Sequence, residues 1–537
     1  MRATVGAMRS RELLWTALAF SSILAAGCGD ARKATPTAGS GSGSGKPAGG
    51  GLLVAGSGAA TGSGSAPGSG SGSASGSGSG SASGSGSATT PSGAAGAAAW
   101  VLPIGGEDSE HPRDVAVAAD GTAVVVGVFK GTTTFGAIGE MTSAGEEDGF
   151  ITAIATDGTV RWSRQLGGPR ADVASGVAIA GGVVVVVGNF TNSITFGDLT
   201  AKSGGSDDLF VVALDVATGA PRWLWTGGGI DSDGGTDVAA TPDGGWLVTG
   251  VQTGIASFGD VMLRPVAGEN SGTDAVLIRL DGEGKVLWAK NMGGAYTDAL
   301  NVVAADGSGN IYALGTFVDK ARFGGDELTA GGGSDSDVVL AAFDPSGAPR
   351  WSKRFGSQFN EIAGGLAVDA TGNVTASGAY SFAADFGAGE QKSAGDADAF
   401  VASFAPDGTP RWHRSFGGLK EDVGFGLTAS PAGDVYVTGR FFGAVNFGDG
   451  ERTAPGGNRD AFVVKLDRTG ATSWSRSFGD RDHDEGRAIA LAPGGDRLVV
   501  AGVYRFTLDL DGHLAESRRP AGQTIPMADV FVASLRP

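Results

Sequence analysis

The sequence predicts an all-β fold of repeated four-stranded antiparallel units, on three observations. Tryptophans stand at positions 100, 162, 223, 288, 351, 412 and 474, a period of roughly 62 residues. Each period divides at glycine-containing turn signals into four short apolar runs. No window carries sustained helical periodicity.

The sixth period, Gly426 to Gly479, shows how the strands are cut: GLTAS, DVYVTGRF, DAFVVKLD and SWSRSFG. SPAGD and DRTGA between them are short connections of the kind that close hairpins, and DATGN, DPSGA and APDGT are their equivalents elsewhere. VVVVVG from Val183 and AFVVKL from Ala461 are apolar at every second position and between, so these strands need cover on both faces. The tryptophan strand carries a cation two residues on in five periods (Arg164, Lys290, Lys353, Arg414 and Arg476), which suits an outer edge.

Four antiparallel strands per period, sandwiched between neighbouring sheets, is the plan of a β-propeller. The first strands begin at DVAVA (114), GVAIA (176), DVAAT (237), NVVAA (301), GLAVD (365), GLTAS (426) and AIALA (488), so the expectation is seven blades. They run over about 112–168, 173–229, 235–294, 299–357, 362–418, 423–480 and 485–537 plus 98–106. The last blade needs that final piece because the chain ends on DVFVASLRP, a third strand with no tryptophan strand after it. WVLPIGG, from Trp100, is the strand left over at the other end, and it is expected to pair beside Phe531–Leu535 and close the ring.

GLAVDATGNVTASGAY (365–380), DFGAG and DAFVASFAPDGTPRWHRSFGG (398–418) resemble the SBBP-type bacterial β-propeller repeat. The likeness runs through residues 98–537 and implies a propeller in exported or surface proteins, with no single activity attached. ALDVATGAPRW (213–223) is similar to the tryptophan docking motif A-x-D-x-x-T-G-x-x-x-W of quinone-dependent dehydrogenase propellers and of an assembly lipoprotein for outer-membrane barrels.

Ahead of the repeats, Arg2, Arg9 and Arg11 precede the apolar run LLWTALAFSSILAAG and then Cys28, the one cysteine of the chain. This resembles a lipoprotein signal peptide over residues 1–27, with Cys28 lipidated; Ala25 departs from the usual lipobox residue. Residues 28–97 are glycine, serine and alanine with few charges, too polar and too simple to offset their ordering entropy. As a flexible coil they span roughly 45 Å, so they read as a stalk. Gly29 after Cys28 favours outer-membrane anchoring, on its periplasmic or its cell-surface side.

A net charge of −18 argues against phosphate-neutralising surfaces, and hence against nucleic acid as a partner. Two acidic sets recur once per period. Glu110, Asp172, Asp233, Asp298, Glu361, Asp422 and Asp484 precede the first strands, and Asp148, Asp208, Asp274, Asp337, Asp398, Asp460 and Asp529 open the third strands. Both belong to loops on one rim, where they either bind backbone amides and lock units together or form a face for cations or a basic partner. Sevenfold recurrence favours the structural role.

No organic cofactor is indicated. Calcium is the metal that Asp480, Asp482 and Asp484 would suit, alternating as in a calcium loop without its closing glutamate; DSDGGTD from Asp231 offers a second such spacing. The four histidines, with His111 and His483 placed in loops, show no metal spacing, and no catalytic residue is assigned. The functional expectation is therefore a monomeric binding or scaffold module at the cell envelope, with an envelope protein or polysaccharide as partner and the bilayer held through the anchor. The alternatives are an outer-membrane assembly propeller, or a propeller enzyme of the lyase, hydrolase or quinone-dependent dehydrogenase type.

Overall fold

The computed structural model describes residues 94–268, 272–519 and 526–537, and the backbone of a two-residue strand, Leu53–Val54. Cys28 and the 1–27 export segment lie outside the described residues, as does nearly all of the stalk. Among the described residues the protein is all-β, with two single 3₁₀ turns at Gly136–Ile138 and Pro455–Gly457.

Seven four-stranded antiparallel units follow one another along the chain. Their first strands are His111–Val117, Asp172–Ala180, Gly234–Ala240, Ala299–Ala305, Ile362–Val368, Val423–Ala429 and Glu485–Leu491. The fifth unit continues with Val374–Tyr380, Asp398–Phe404 and Pro410–Phe416, each hydrogen-bonded to the one before. Middle strands are covered on both faces: every residue of Val374–Tyr380, Asp398–Phe404, Trp246–Gln252 and Asp274–Leu280 is buried. The core therefore lies between units rather than within one, as where Val124 and Ile151 of the first unit meet Val184 and Val212 of the second.

The seventh unit takes its outer strand from the other end of the chain. Ala98–Gly106 pairs antiparallel with Asp529–Leu535, setting Val101 opposite Ala533 and Pro103 opposite Phe531. Trp100 and Ile104 then complete a core with Val125 and Phe129 of the first unit and Val499 and Val532 of the seventh.

The first strands touch in order, each with that of the next unit, and the seventh touches the first. At the outer edge every tryptophan strand docks on the following unit. The Trp162 indole Nε1 donates to Val216 O at 3.0 Å, and a Cβ on Gly219 would lie 2.6 Å from the ring. Trp100 does the same against Thr156 O, at 2.9 Å, and Gly158. Trp223, Trp288, Trp351 and Trp412 rest on Gly284, Gly347, Gly408 and Gly470. Trp474 rests on Gly96, where the segment leading into Ala98–Gly106 supplies the equivalent turn. These glycines sit at positive φ, 88° at Gly158, so both conformation and space demand glycine there. Trp223 of ALDVATGAPRW rests on its glycine as the other six do, so the contact recurs in every unit although the full motif stands only in this one.

One element escapes the four-run reading. The second and third strands are bridged by a small hairpin arm, such as Ala383–Asp385 with Glu390–Lys392, or by long strands that bend through it, as Ala123–Phe135 and Glu140–Ile154 do. In several units the arm adds to the tryptophan strand of the preceding one, as Ile104 opposite Phe135 and Gly228 opposite Ser257. Two aromatics six residues apart mark this arm: Phe129 meets Phe135 edge-on at 5.6 Å, and Phe441 meets Phe447 likewise. Three-residue strands are too short to show a period of two, so the sequence displays the aromatics without the hairpin.

Candidate functional site

Both acidic sets are buried, from Glu110, Asp148, Asp172, Asp233 and Asp274 at 0 % exposure to Asp208 at 6 %. They do not form an open acidic face. Each residue of the first set bridges two units. Asp233 accepts from the Gly229 amide at 2.7 Å, at the end of the preceding tryptophan strand, and from the Thr253 amide at 3.0 Å, after its own second strand. Asp172, Asp298, Asp422 and Asp484 repeat this with Gly168 and Thr191, Gly294 and Val318, Gly418 and Phe442, and Asp480 and Arg505. The longer Glu110 and Glu361 accept from the Gly106 and Ser357 amides and from the hydroxyls of Thr133 and Ser357.

The second set lies against the first, across each junction. The pairs are Asp148 with Asp172, Asp208 with Asp233, Asp274 with Asp298, Asp337 with Glu361, Asp398 with Asp422, Asp460 with Asp484 and Asp529 with Glu110. The glycine five residues past each tryptophan makes room for them: a Cβ on Gly356 would lie 2.6 Å from both Asp337 and Glu361. The Oδ1 atoms of Asp148, Asp208, Asp274, Asp337, Asp460 and Asp529 are buried without a hydrogen-bond partner.

Two carboxylates facing each other in a buried junction repel, which favours the neutral form of one of them. Accordingly burial, and then the neighbouring Asp337, push Glu361 up to about 9. Burial likewise lifts Glu110 and Asp233 to about 8, and Asp172, Asp298, Asp422 and Asp484 to about 7. Asp460 rises to about 8, Asp529 to about 7, Asp208 and Asp274 to about 6, and Asp148 and Asp398 upward, all chiefly by burial.

At the calcium candidate, oxygens are already engaged by the turn. Asp480 accepts from the Asp482 amide at 3.1 Å and from the Thr507 hydroxyl at 2.8 Å, Asp482 from the His483 amide at 2.9 Å, and Asp484 as above. Among the described residues no three such side chains converge as a metal site. His111 begins a strand rather than sitting in a loop; burial first, then Arg113 and Arg487, press it down to about 4, so its imidazole is neutral.

The feature that the sequence did not single out lies three residues past each first-set acid. There the pairing of first and second strands slips in every unit, between Pro112 and Asp114, Ala174 and Gly176, Gly235 and Asp237, Leu300 and Val302, Ala363 and Leu366, Gly424 and Gly426, and Gly486 and Ala488. A β-bulge turns its extra residue out of the ladder. The bulged residues are Arg113, Ser175, Thr236, Asn301, Gly364 with Gly365, Phe425 and Arg487. All line one cavity of about 460 Å³, to which all seven units contribute. Two residues further on, Val115, Val177, Val238, Val303, Leu366, Leu427 and Ile489 line it as an apolar collar. The collar keeps the repeat; the bulge level breaks it.

The break is largest at the last two units and the first. Arg440, 2 % exposed, binds Glu421 and, at 3.0 Å, Glu485; Arg487 shares Glu485. Burial opposes ionisation of Glu485, yet Arg487, Arg440 and Arg459 together hold its carboxyl well below the usual range. Phe425 lies beside two guanidiniums, with Arg487 4.6 Å and Arg440 5.2 Å from its ring centre.

No family model matches the chain. The regulatory protein FlaEY of Caulobacter vibrioides is 26 % identical over 227 residues, which cover 40 % of this chain and 23 % of that protein; less than a quarter of its length is therefore spanned. Among solved structures, the Pan2 WD40 domain of Neurospora crassa aligns with 79 % of this chain and 89 % of its own at 9 % identity and a TM-score of 0.40. Puromycin hydrolase aligns with 77 % and 60 % at 14 % identity and 0.34. Cobalt-substituted Synechocystis ACO aligns with 80 % and 92 % at 11 % identity and 0.36. The architecture of this chain rests on its own strand pairing.

Proposed function

We propose that the chain is a closed seven-bladed propeller of the SBBP type, carried on a lipid-anchored stalk at the bacterial cell envelope, and that it works by binding. The observation that carries this reading is the sevenfold docking of tryptophan on glycine. The junction between the last unit and the first, Trp100 on Gly158, repeats the six junctions within the chain. A closed ring leaves no sheet edge open. It also leaves an open cavity of about 460 Å³ and a rim of inter-unit loops as places for a ligand.

Support for a binding rim comes from exposed apolar residues in consecutive loops: Ile230 at 75 %, Tyr296 at 51 %, Phe359 at 48 % and Leu419 at 84 %. Large apolar groups kept in water at equivalent positions fit a partner surface such as an envelope protein or polysaccharide. The acidic sets hold the units together beneath that rim. The anchor reading rests on the lipobox-like ILAAGC around Cys28.

Fractionation of cells producing wild type or Cys28→Ala tests the anchor. Wild type should sediment with the outer membrane and the variant should be released. Equal distribution of the two overturns lipid anchoring, and protease added to intact cells then decides which face the propeller occupies.

A further inference from the structure

At the entry to every hairpin arm the chain passes through one residue of positive φ. Five units place glycine, asparagine or aspartate there, as at Gly131, Asn192 and Asp319; the fifth and seventh place Phe382 and Phe506, both at 62°. Glycine, asparagine and aspartate are the residues that visit this conformation, whereas for a bulky ring it is an outlier. Phe506 has company: the guanidiniums of Arg481 and Arg519 lie 5.2 and 5.9 Å from its ring centre. Phe382 is 55 % exposed, and its ring neighbour at 6.3 Å, Phe359, is itself 48 % exposed. A strained backbone therefore holds an aromatic pair in water, where folding alone gains little from it.

The pair sits on the rim at the junction of the fourth and fifth units, where the Ser357 hydroxyl donates to Ser381 O at 2.9 Å. Ile230 and Tyr296 stand at the two junctions before it and Leu419 at the junction after, so exposed apolar tips form an arc over four consecutive junctions. At the other three, the equivalent positions hold Pro169 with Arg170, Arg481 with Asp482, and Glu107 with Asp108. Acids accompany the arc. Asp231 follows Ile230, and Asp396 follows Gly395, on which a Cβ would lie 2.3 Å from the Leu419 backbone. Beside Phe359, a Cβ on Gly332 would lie 2.9 Å from Asp335 and 3.0 Å from Gln358 O. Lys420 and Arg264 interrupt this series, while Arg481, Arg518 and Arg519 are exposed towards the seventh unit.

We propose that this arc docks a cationic amphipathic segment of a partner protein, its apolar side chains on Tyr296, Phe359 and Phe382 and its lysines or arginines over Asp231, Asp335 and Asp396. Aromatic rings at the centre of a patch are the usual anchors of such an interface, and the acids around them supply the complementary charge. The arginines beyond the arc repel the same segment, which confines it to one side of the ring. Phe382 is kept at 62° because a glycine or asparagine there would relieve the backbone and remove the anchor.

This deepens the binding part of the functional reading and does not depend on the anchor. Fluorescence anisotropy with the full chain tests it, using a labelled short peptide of leucine and lysine with its leucines on one helical face. That peptide should bind at least about tenfold more tightly than its leucine–glutamate or serine–lysine counterpart. Phe382→Asn should weaken it by about tenfold or more while the melting temperature holds or rises, and Asp396→Lys should weaken it similarly. Phe506→Asn, the same exchange in the seventh unit, should leave binding unchanged. The proposal is overturned if the three peptides bind alike, if Phe382→Asn keeps wild-type affinity, or if that variant melts lower, since the ring would then serve the fold. Binding of cellohexaose that is lost in Phe382→Asn, with no preference for the leucine–lysine peptide, overturns the protein partner and leaves a binding rim for polysaccharide.

Discussion

Trp100→Ala and Gly158→Ala, singly and together, test whether the first and last units are joined as the others are. Trp100 is 9 % exposed and packs in the core shared by those two units, so truncation should cost about 4 kcal/mol. Gly158 stands at φ 88° with room for a Cβ only 2.9 Å from the indole. Alanine there should cost about 2–3 kcal/mol, part backbone strain and part collision. Removing the indole removes the collision and leaves the strain. The double variant should therefore lose about 5 kcal/mol where additivity gives about 7. Unfolding entropy near 2.1 cal/mol/K per residue over about 440 ordered residues gives roughly 0.9 kcal/mol/K. Calorimetry should then show drops of about 4, 2–3 and 5 °C. The matching cycle at Trp162 and Gly219, inside the chain, supplies the reference coupling. Additive effects at Trp100 and Gly158 beside coupled effects at Trp162 and Gly219 would refute closure by the N-terminal strand.

Three further outcomes are expected. Deleting residues 98–106 exposes the edge of Asp529–Leu535, so the protein should elute as aggregate in size-exclusion chromatography where wild type elutes as a monomer. Carboxyls raised in the folded state bind more protons there than in the unfolded chain, so their contribution declines from about pH 4 until about pH 9, the value reached by Glu361. Melting temperature should thus be higher at pH 5.5 than at pH 8.5, and Glu361→Gln, whose amide can donate to Asp337 without a shared proton, should flatten that slope. Because backbone amides already occupy oxygens of Asp480, Asp482 and Asp484, millimolar calcium should shift the melting of wild type and Asp482→Asn equally. A larger shift for wild type would support a calcium loop there.

What the sequence determined by itself is whatever neighbouring residues decide. Turn glycines, alternating runs and the tryptophan period placed the four strands of each unit. The surplus strand at Trp100 and the deficit after Leu535 identified each other as partners, because an unpaired edge is costly wherever it falls. Both acidic sets were visible as recurrences. Their partners were not: Asp337 and Glu361 stand 24 residues apart, on successive units, and only the stacking of one unit on the next brings the two carboxyls together.

The bulged residues were also present in the letters, at the third position after each first-set acid. Nothing local distinguishes Arg113, Asn301 or Arg487 there from a solvated strand residue, since the slip in register belongs to a pair of strands and the cavity belongs to seven. Repetition therefore specified the scaffold through short-range preferences. The unequal wall of the cavity arises from contacts between residues hundreds of positions apart, and the tertiary structure alone decides it.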